Sequence, residues 1–296
     1  YGADATRWYM IANAAPWDNL KFDEEGIVSV QRQLFGTLYN TYGFFALYAN
    51  VDKYRVVSGQ IPDLKNCTEL DRWILSKLQS LTQDVTLHFN EFEPHRAARA
   101  IEEFVDEHLS NWYVRLSRRR FWKGEMSKDK ETAYLTLYTC LSAISQMMSP
   151  IAPFFSDWMY RNLNPEAGSV HLSHWKEVDL SLQDKTLESK MDLAQKICSM
   201  ILSIRKKENL KVRQPLQRIQ IPILNKDMQK QIEEVSEIIL SEVNVKRIEF
   251  VDEKQTSIIK NLKLNFKTLG KKCGSNMKAM QAYALENQAA IISAIE

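Results

Sequence analysis

Residues 68–92 read TELDRWILSKLQSLTQDVTLHFNEF. Leu70, Trp73, Ile74, Leu78, Leu81, Val85, Phe89 and Phe92 recur in it at three- and four-residue steps, the apolar stripe of an amphipathic helix. Thr68 followed three residues later by Asp71 makes a capping-box-like start. A helix with one apolar face needs partners, and the following sequence supplies them. Pro94 suits a helix start, after which Ala97, Ile101, Val105, Leu109, Trp112 and Leu116 form a second stripe. A third run, from Glu131 to about Met148, carries Leu135, Tyr138, Leu141 and Met148. It breaks at the SPIAP of residues 149–153 and resumes from Phe154 to Leu163. A fourth run, from Leu187 to about Lys207, turns Met191, Ala194, Ile197, Cys198, Ile201 and Leu202 to one side. Long helices with short joints predict a bundle over residues 61–216.

On the N-terminal side, residues 1–60 hold two further apolar runs, Ala3 to Met10 and Val30 to Tyr48, and lead into the linker-like VSGQIP of residues 57–62. The chain opens at Tyr1, inside what reads as a helix and without an initiator methionine, as expected of a piece of a longer polypeptide. After residue 216 the period changes. Ile219, Ile221 and Ile223 alternate with polar residues, as do Leu262, Leu264 and Phe266, and Val245 to Val251 is a third strand candidate. Helices are expected from Met228 to Glu242 and from Ser275 onward. Pro222 cannot donate to a ladder and belongs at a sheet edge. The fold class is therefore mainly α, a helical bundle followed by a small α+β domain over residues 217–296.

A chain of 296 residues with 45% hydrophobic content can bury the cores of two or three units. A net charge of +2 neither drives nor forbids binding to RNA or a membrane, so local clusters decide. No apolar run approaches the roughly 20 residues that span a bilayer, and the first residues lack a signal-peptide pattern; a cytoplasmic location is expected. The four cysteines, Cys67, Cys140, Cys198 and Cys273, include no CxxC pair and read as free thiols in a reducing compartment. His171 and His174 lack a third ligand, so no metal site is expected. There is no glycine-rich phosphate loop, nucleophile elbow or clustered carboxylate, histidine and cysteine set. The GKKCG of residues 270–274 reads as a turn, and Met126-Ser127-Lys128 as an ordinary loop. No catalytic residue and no cofactor are expected in this chain.

Charge does cluster. Between Trp112 and Lys128, Arg115, Arg118, Arg119, Arg120, Lys123 and Lys128 face one acid, Glu125. On an unbroken α-helix Arg119 falls on the stripe of Trp112 and Leu116, where it must meet a carboxylate or a phosphate, or the bundle must end. Cations also suit a helix C-terminus. Arginine has bidentate phosphate geometry, however, and Phe121 or Trp122 offers a ring for an unpaired base. A second cluster runs through Arg205, Lys206, Lys207, Lys211, Arg213 and Arg218, and a third through Lys260, Lys263, Lys267, Lys271 and Lys272. Taken singly, each of these two reads as a solvated face; three clusters together favour a polyanionic partner.

Several stretches resemble a known family. YGADATRWYMI (residues 1–11) resembles the segment that follows the KMSKS loop in class I aminoacyl-tRNA synthetases of the isoleucine, valine and leucine group. MSPIAPFFSDWMYRNL (148–163) and GSVHLSHWKEVD (168–179) resemble a helix and loop of their anticodon-binding domain. LDRWILSKLQSLTQDV (70–85), NWYVRLSRRRFW (111–122), KVRQPL (211–216), NVKRIEF (244–250) and LNFKTLGKKCG (264–274) are most similar to isoleucyl-tRNA synthetases of the longer, eukaryote-like subgroup.

The resemblance implies post-catalytic connecting helices over 1–60, a helical anticodon-binding domain over 61–216 and a small junction domain over 217–296. It implies tRNA(Ile) as partner, together with N-terminal catalytic and editing domains that this chain lacks. It also implies ATP and Mg as cofactors of the full-length monomeric enzyme, which edits misactivated valine, with zinc elsewhere in it left open. The RNA contacts it implies are Arg115, Arg118, Arg119, Arg120, Trp122 and Lys123 near the anticodon. Arg205, Lys206, Lys207, Lys211 and Arg213 follow as backbone contacts. A valyl- or leucyl-tRNA synthetase is the near alternative, and a helical protein-protein interaction module the alternative of another class.

Overall fold

Thr68 starts the long helix that its stripe predicts. Its hydroxyl accepts from Asp71 N (3.2 Å) while Asp71 Oδ2 accepts from Thr68 N (2.9 Å), so two donors at the helix end are satisfied reciprocally. In the computed structural model, which describes residues 1–57, 60–122, 124–223, 225–252 and 276–287 with Leu269 and Ile291, the chain forms two compact units, Tyr1–Asp192 and Leu193–Glu296.

The first unit is helical. Helix α1 spans Ala3–Asn13; α2 (Glu24–Val30) passes through a π-helical turn, Gln31–Phe35, into α3 (Gly36–Val51). The capped helix is α4 (Glu69–Asn90), and α5 (Pro94–Glu103) begins with proline at its first turn. A π-helical stretch, Phe104–Val114, carries α5 into α6 (Arg115–Trp122). Helices α7 (Lys128–Met148) and α8 (Pro153–Leu163) follow, then two 3-10 turns and α9 (Lys185–Lys207), which continues into the second unit. Helix α4 packs against α5 and α7, and α1 against α5. Trp73, Ile74, Leu78 and Val85 of α4 are shut off from solvent together with Ile101, Val105, Leu109 and Ile144. Each such side chain contributes about 1.5–3 kcal/mol by leaving water. Phe92, placed on the stripe by its spacing, lies past the helix in a left-handed turn and is 83% exposed.

The boundary expected near residue 60 does not divide this unit. Arg7 Nε donates to Ile151 O (2.8 Å), Trp8 Nε1 to Glu102 Oε1 (2.7 Å), and Phe155 N to Asp4 Oδ2 (2.6 Å). Arg99 closes the C-terminus of α1, donating to Ala12 O (2.8 Å) and Asn13 O (3.0 Å). These bonds join segments more than 80 residues apart in sequence, a distance at which a linker-like stretch says nothing about packing.

The second unit contains β1 (Ile219–Ile223) and β2 (Ile248–Asp252), paired in parallel from Ile219 opposite Ile248 to Ile223 opposite Asp252. Parallel strands need a crossover, supplied by α10 (Lys226–Glu234) and α11 (Ser236–Val243). The single helix expected over 228–242 is two, because Val235 leaves helical geometry. Asn244, in the left-handed region, ends α11. Helix α12 covers Met277–Glu286. A mainly α chain with a small α+β part is what the patterns predict. The strand expected at 262–266 lies outside the described residues, as does the GKKCG turn. The division between the units falls inside α9 rather than at 216, because that helix runs unbroken from Lys185 to Lys207.

Candidate nucleic-acid interface

The arginine string is sorted by the π-helical stretch before it. Hydrogen bonds from residue i to i+5 widen the helix and shift every later side chain around it. The buried face therefore passes from Leu109 to Tyr113, Ser117 and Phe121 instead of through Leu116 and Arg119. Leu116 is half-buried and Arg119 exposed, so the unbroken-helix expectation for Arg119 fails by one residue.

Arg120 takes the inner position. Its Nη1 and Nη2 donate to the two oxygens of Asp71 at 2.8 Å each, and Nη2 also donates to Asp129 O at 3.0 Å. Asp71 is fully buried and accepts in addition from Tyr113 OH (2.7 Å) and Thr68 Oγ1 (2.7 Å). Burial works against the Arg120 charge, but hydrogen bonds to Asp71 and Asp129 outweigh it and hold the guanidinium above the ordinary arginine value. Burial, reinforced by the Asp71 carboxylate, pushes the Tyr113 phenol well up. The planar fork of Arg120 is thus filled by a carboxylate, which sets it apart from the other arginines of the string.

Arg115, Arg118, Arg119 and Trp122 stand on the outer face of α6 at three- and four-residue spacing. Arg115 Nε donates to Asn111 O (2.6 Å), which steadies it along the helix. Arg118 and Arg119 are exposed and have no hydrogen bond or ion pair among the described residues, and Trp122 is 56% exposed. Lys123 lies outside the described residues. Below this stripe, Phe121 is buried edge-on against Phe44 (5.0 Å) and Tyr134 (4.9 Å). Ser127 caps α7 through Lys130 N (3.3 Å), so the Met126-Ser127-Lys128 triplet is a helix start. Lys130 Nζ ties that corner to Asp52 (2.6 Å).

In the second unit Arg205 is likewise turned inward. It is 1% exposed, and its Nη2 donates to Val212 O (3.2 Å) and Gln214 O (2.6 Å). It staples the loop after α9, which leaves the helix through Asn209 in the left-handed region. Lys206, Lys207, Lys211 and Arg213 are exposed around that loop. Arg218 pairs with Glu249 at 2.9 Å. The lysine cluster of residues 260–272 lies outside the described residues.

His171 and His174 are exposed. His88, Glu91 and Glu93 approach one another closely enough to share an ion, but Glu93 already pairs with Arg96 at 2.9 Å. Cys140 and Cys198 are buried, and burial with the Asp71 charge pushes the Cys67 thiol up to about 11. Burial also raises the Cys140 thiol, so neither Cys67 nor Cys140 has the thiolate character of a nucleophile. Among the described residues no helix is long and apolar enough to cross a membrane.

What the arrangement offers is two exposed cationic patches, each set by an internally committed arginine, and one aromatic ring beside the first. A family model described as the anticodon-binding domain of tRNA ligase matches residues 71–221. The chain belongs to this family.

The chain is 51% identical over 301 aligned residues to the isoleucine–tRNA ligase of Cytophaga hutchinsonii, covering 100% of this chain and 27% of that protein. To the isoleucine–tRNA ligase of Porphyromonas gingivalis it is 52% identical, covering 95% and 24%. To that of Deinococcus radiodurans it is 35% identical, covering 100% and 27%. The chain thus spans about a quarter of the length of these curated relatives. A solved structure, the ternary complex of Agrobacterium radiobacter K84 agnB2 LeuRS-tRNA-LeuAMS, aligns over 62% of this chain and 21% of that one with a TM-score of 0.45 and 18% identity. In this anticodon-binding domain the family match begins at Asp71 and ends at Ile221, so it contains both the α6 stripe and the loop stapled by Arg205.

The sequence alone did not single out Tyr42, Tyr54 and Arg55, which line a cavity beside α3. The signal was the tyrosine-arginine pair at 54–55, just before the linker-like stretch.

Proposed function

We propose that this chain is the anticodon-binding part of an isoleucine–tRNA ligase and holds the anticodon stem-loop of tRNA(Ile). The observation that carries this reading is identity of about half over the whole chain to isoleucine–tRNA ligases. Arg118 and Arg119, steadied by their place on α6, bind phosphates, and Trp122 stacks on an unpaired base. Arg115 supports them, and Lys206, Lys207, Lys211 and Arg213 contact the backbone elsewhere on the tRNA; Lys123 is kept in the set on its sequence position. Arg120 and Arg205 shape these surfaces without touching RNA. The full-length enzyme, in this reading a cytoplasmic monomer, joins isoleucine to tRNA(Ile) using ATP and Mg and edits misactivated valine. None of that chemistry is assigned to residues of this chain.

The test is filter binding of the 296-residue chain to tRNA(Ile) and to the same tRNA with its anticodon replaced. Affinity should fall steeply with salt and drop at least about tenfold on anticodon replacement. Binding that ignores the anticodon would remove the recognition role, and binding that ignores salt would remove the phosphate contacts.

A further inference from the structure

Beside α3 the first unit forms a cavity of about 800 Å³ open to solvent, lined among others by Tyr42, Asn50, Tyr54, Arg55, Tyr138 and Asn162. That volume lies in the range of about 300–1,000 Å³ typical of small-ligand sites. Ring contacts and side-chain hydrogen bonds hold its walls. Tyr54 stacks on Tyr134 with ring centres 4.8 Å apart and planes 17° from parallel, and Tyr42 meets Trp158 edge-on at 5.1 Å. Tyr138 OH donates to Asn164 Oδ1, and Asn162 Nδ2 donates to Trp158 O (2.7 Å).

Several polar groups remain open to an occupant. The Tyr42 and Tyr54 hydroxyls, Asn162 Oδ1 and the Arg55 guanidinium have no hydrogen-bond partner among the described residues. Burial raises the phenols of Tyr42, Tyr54 and Tyr138 above their ordinary value, so all three stay neutral near pH 7. Arg55 and Glu166 are the cation and the acid in the cavity's lining. One cation against one acid gives a phosphate no advantage inside. Flat rings, amides and a carboxylate acceptor instead match the face and polar edge of a nucleobase.

The cavity's position links it to the arginine stripe. Tyr54 stacks on Tyr134, and Tyr134 meets Phe121 at 4.9 Å, one residue before Trp122. Two ring contacts therefore connect the cavity wall to the end of α6. We infer that this cavity receives one unpaired nucleobase of the RNA whose phosphates lie on Arg118 and Arg119, an assignment that rests on the tRNA-binding reading.

The experiment uses the anticodon stem-loop of tRNA(Ile) with 2-aminopurine at each loop position in turn, bound to the 296-residue chain. Fluorescence at one position should change on binding. Tyr42→Ala should abolish that change and weaken binding about tenfold, while Tyr42→Phe, which keeps the ring, retains it. Arg55→Ala and Asn162→Ala, which sit at the cavity's exposed edge, should also reduce the signal at saturating protein. Arg119→Ala should weaken binding yet leave the saturated signal unchanged. If the stem-loop binds with salt-dependent affinity but the cavity variants keep wild-type affinity and signal at every position, the cavity assignment is overturned and the arginine reading stands. Failure of the wild-type chain to bind the stem-loop or tRNA at all overturns both.

Discussion

Asp71 accepts hydrogen bonds from the hydroxyl and the amide of Thr68, from Tyr113 and from both ends of the Arg120 guanidinium, with no surface left to water. A buried carboxylate survives only when paired and hydrogen-bonded this fully, and removing one partner strands the other. Asp71→Ala or Arg120→Ala should each cost about 3–5 kcal/mol in urea denaturation. The apolar pair Asp71→Leu with Arg120→Met should recover part of that loss. Arg119→Ala should change stability by less than about 0.5 kcal/mol while weakening tRNA binding. Equal loss of stability from the two arginine changes would contradict the sorting of the string. The cap of α4 was legible because Thr68 and Asp71 are three residues apart. The second task of Asp71 was not, because Tyr113 and Arg120 lie 42 and 49 residues away.

Asp52 makes a pH-dependent contribution at the same corner. Partial burial works against its charge, but hydrogen bonds from Lys130 and Tyr134 hold its carboxyl below the ordinary aspartate value. A lowered folded pKa means the contribution is complete above the unfolded value, about 4, and is lost as pH falls through the folded one. Asp52→Asn should therefore flatten stability against pH on the acid side and leave its shape near pH 7 unchanged, measured by denaturation at a series of pH values.

Among the elements, the π-helical stretch over Phe104–Val114 decides which arginine is structural. Asn111 is exposed within it. Deleting Asn111 should return the stretch toward α-helical spacing and rotate everything after it by about 100°, which takes Arg120 off Asp71. The deletion should cost several kcal/mol, near the value for Arg120→Ala, whereas Asn111→Ala should stay within about 0.5 kcal/mol. A deletion as harmless as the substitution would mean that the wider helix does not set the phase. The stripe of α4 could be read from spacing because that helix is α throughout. The stripe of α5 could be read as far as Trp112, which is buried, and slipped at Leu116, since nothing in residue type marks a change from i+4 to i+5 bonding. The loop after α9 escaped for a related reason. Arg205 reads as one more cation in a basic run, and its burial depends on the carbonyls of Val212 and Gln214 folding back onto it.

Across the whole molecule, a net charge of +2 leaves little long-range attraction for RNA, so on the proposed tRNA-binding role affinity rests on local clusters, two of which lie among the described residues. Each phosphate neutralised contributes about 0.7–0.9 to the slope of log K against log salt. Removing Arg118 and Arg119 together should lower the magnitude of that slope by about 1.4–1.8. Replacing Lys206, Lys207, Lys211 and Arg213 together should lower it by up to about 3.6 if all four meet phosphates. The slope, unlike the affinity at one salt concentration, separates lost phosphate contacts from lost base contacts. Trp122→Ala should reduce affinity at every salt concentration without changing the slope, because stacking releases no counterion. If Trp122→Ala instead changed the slope while the α6 double variant did not, the roles given to ring and arginines on α6 would have to be exchanged.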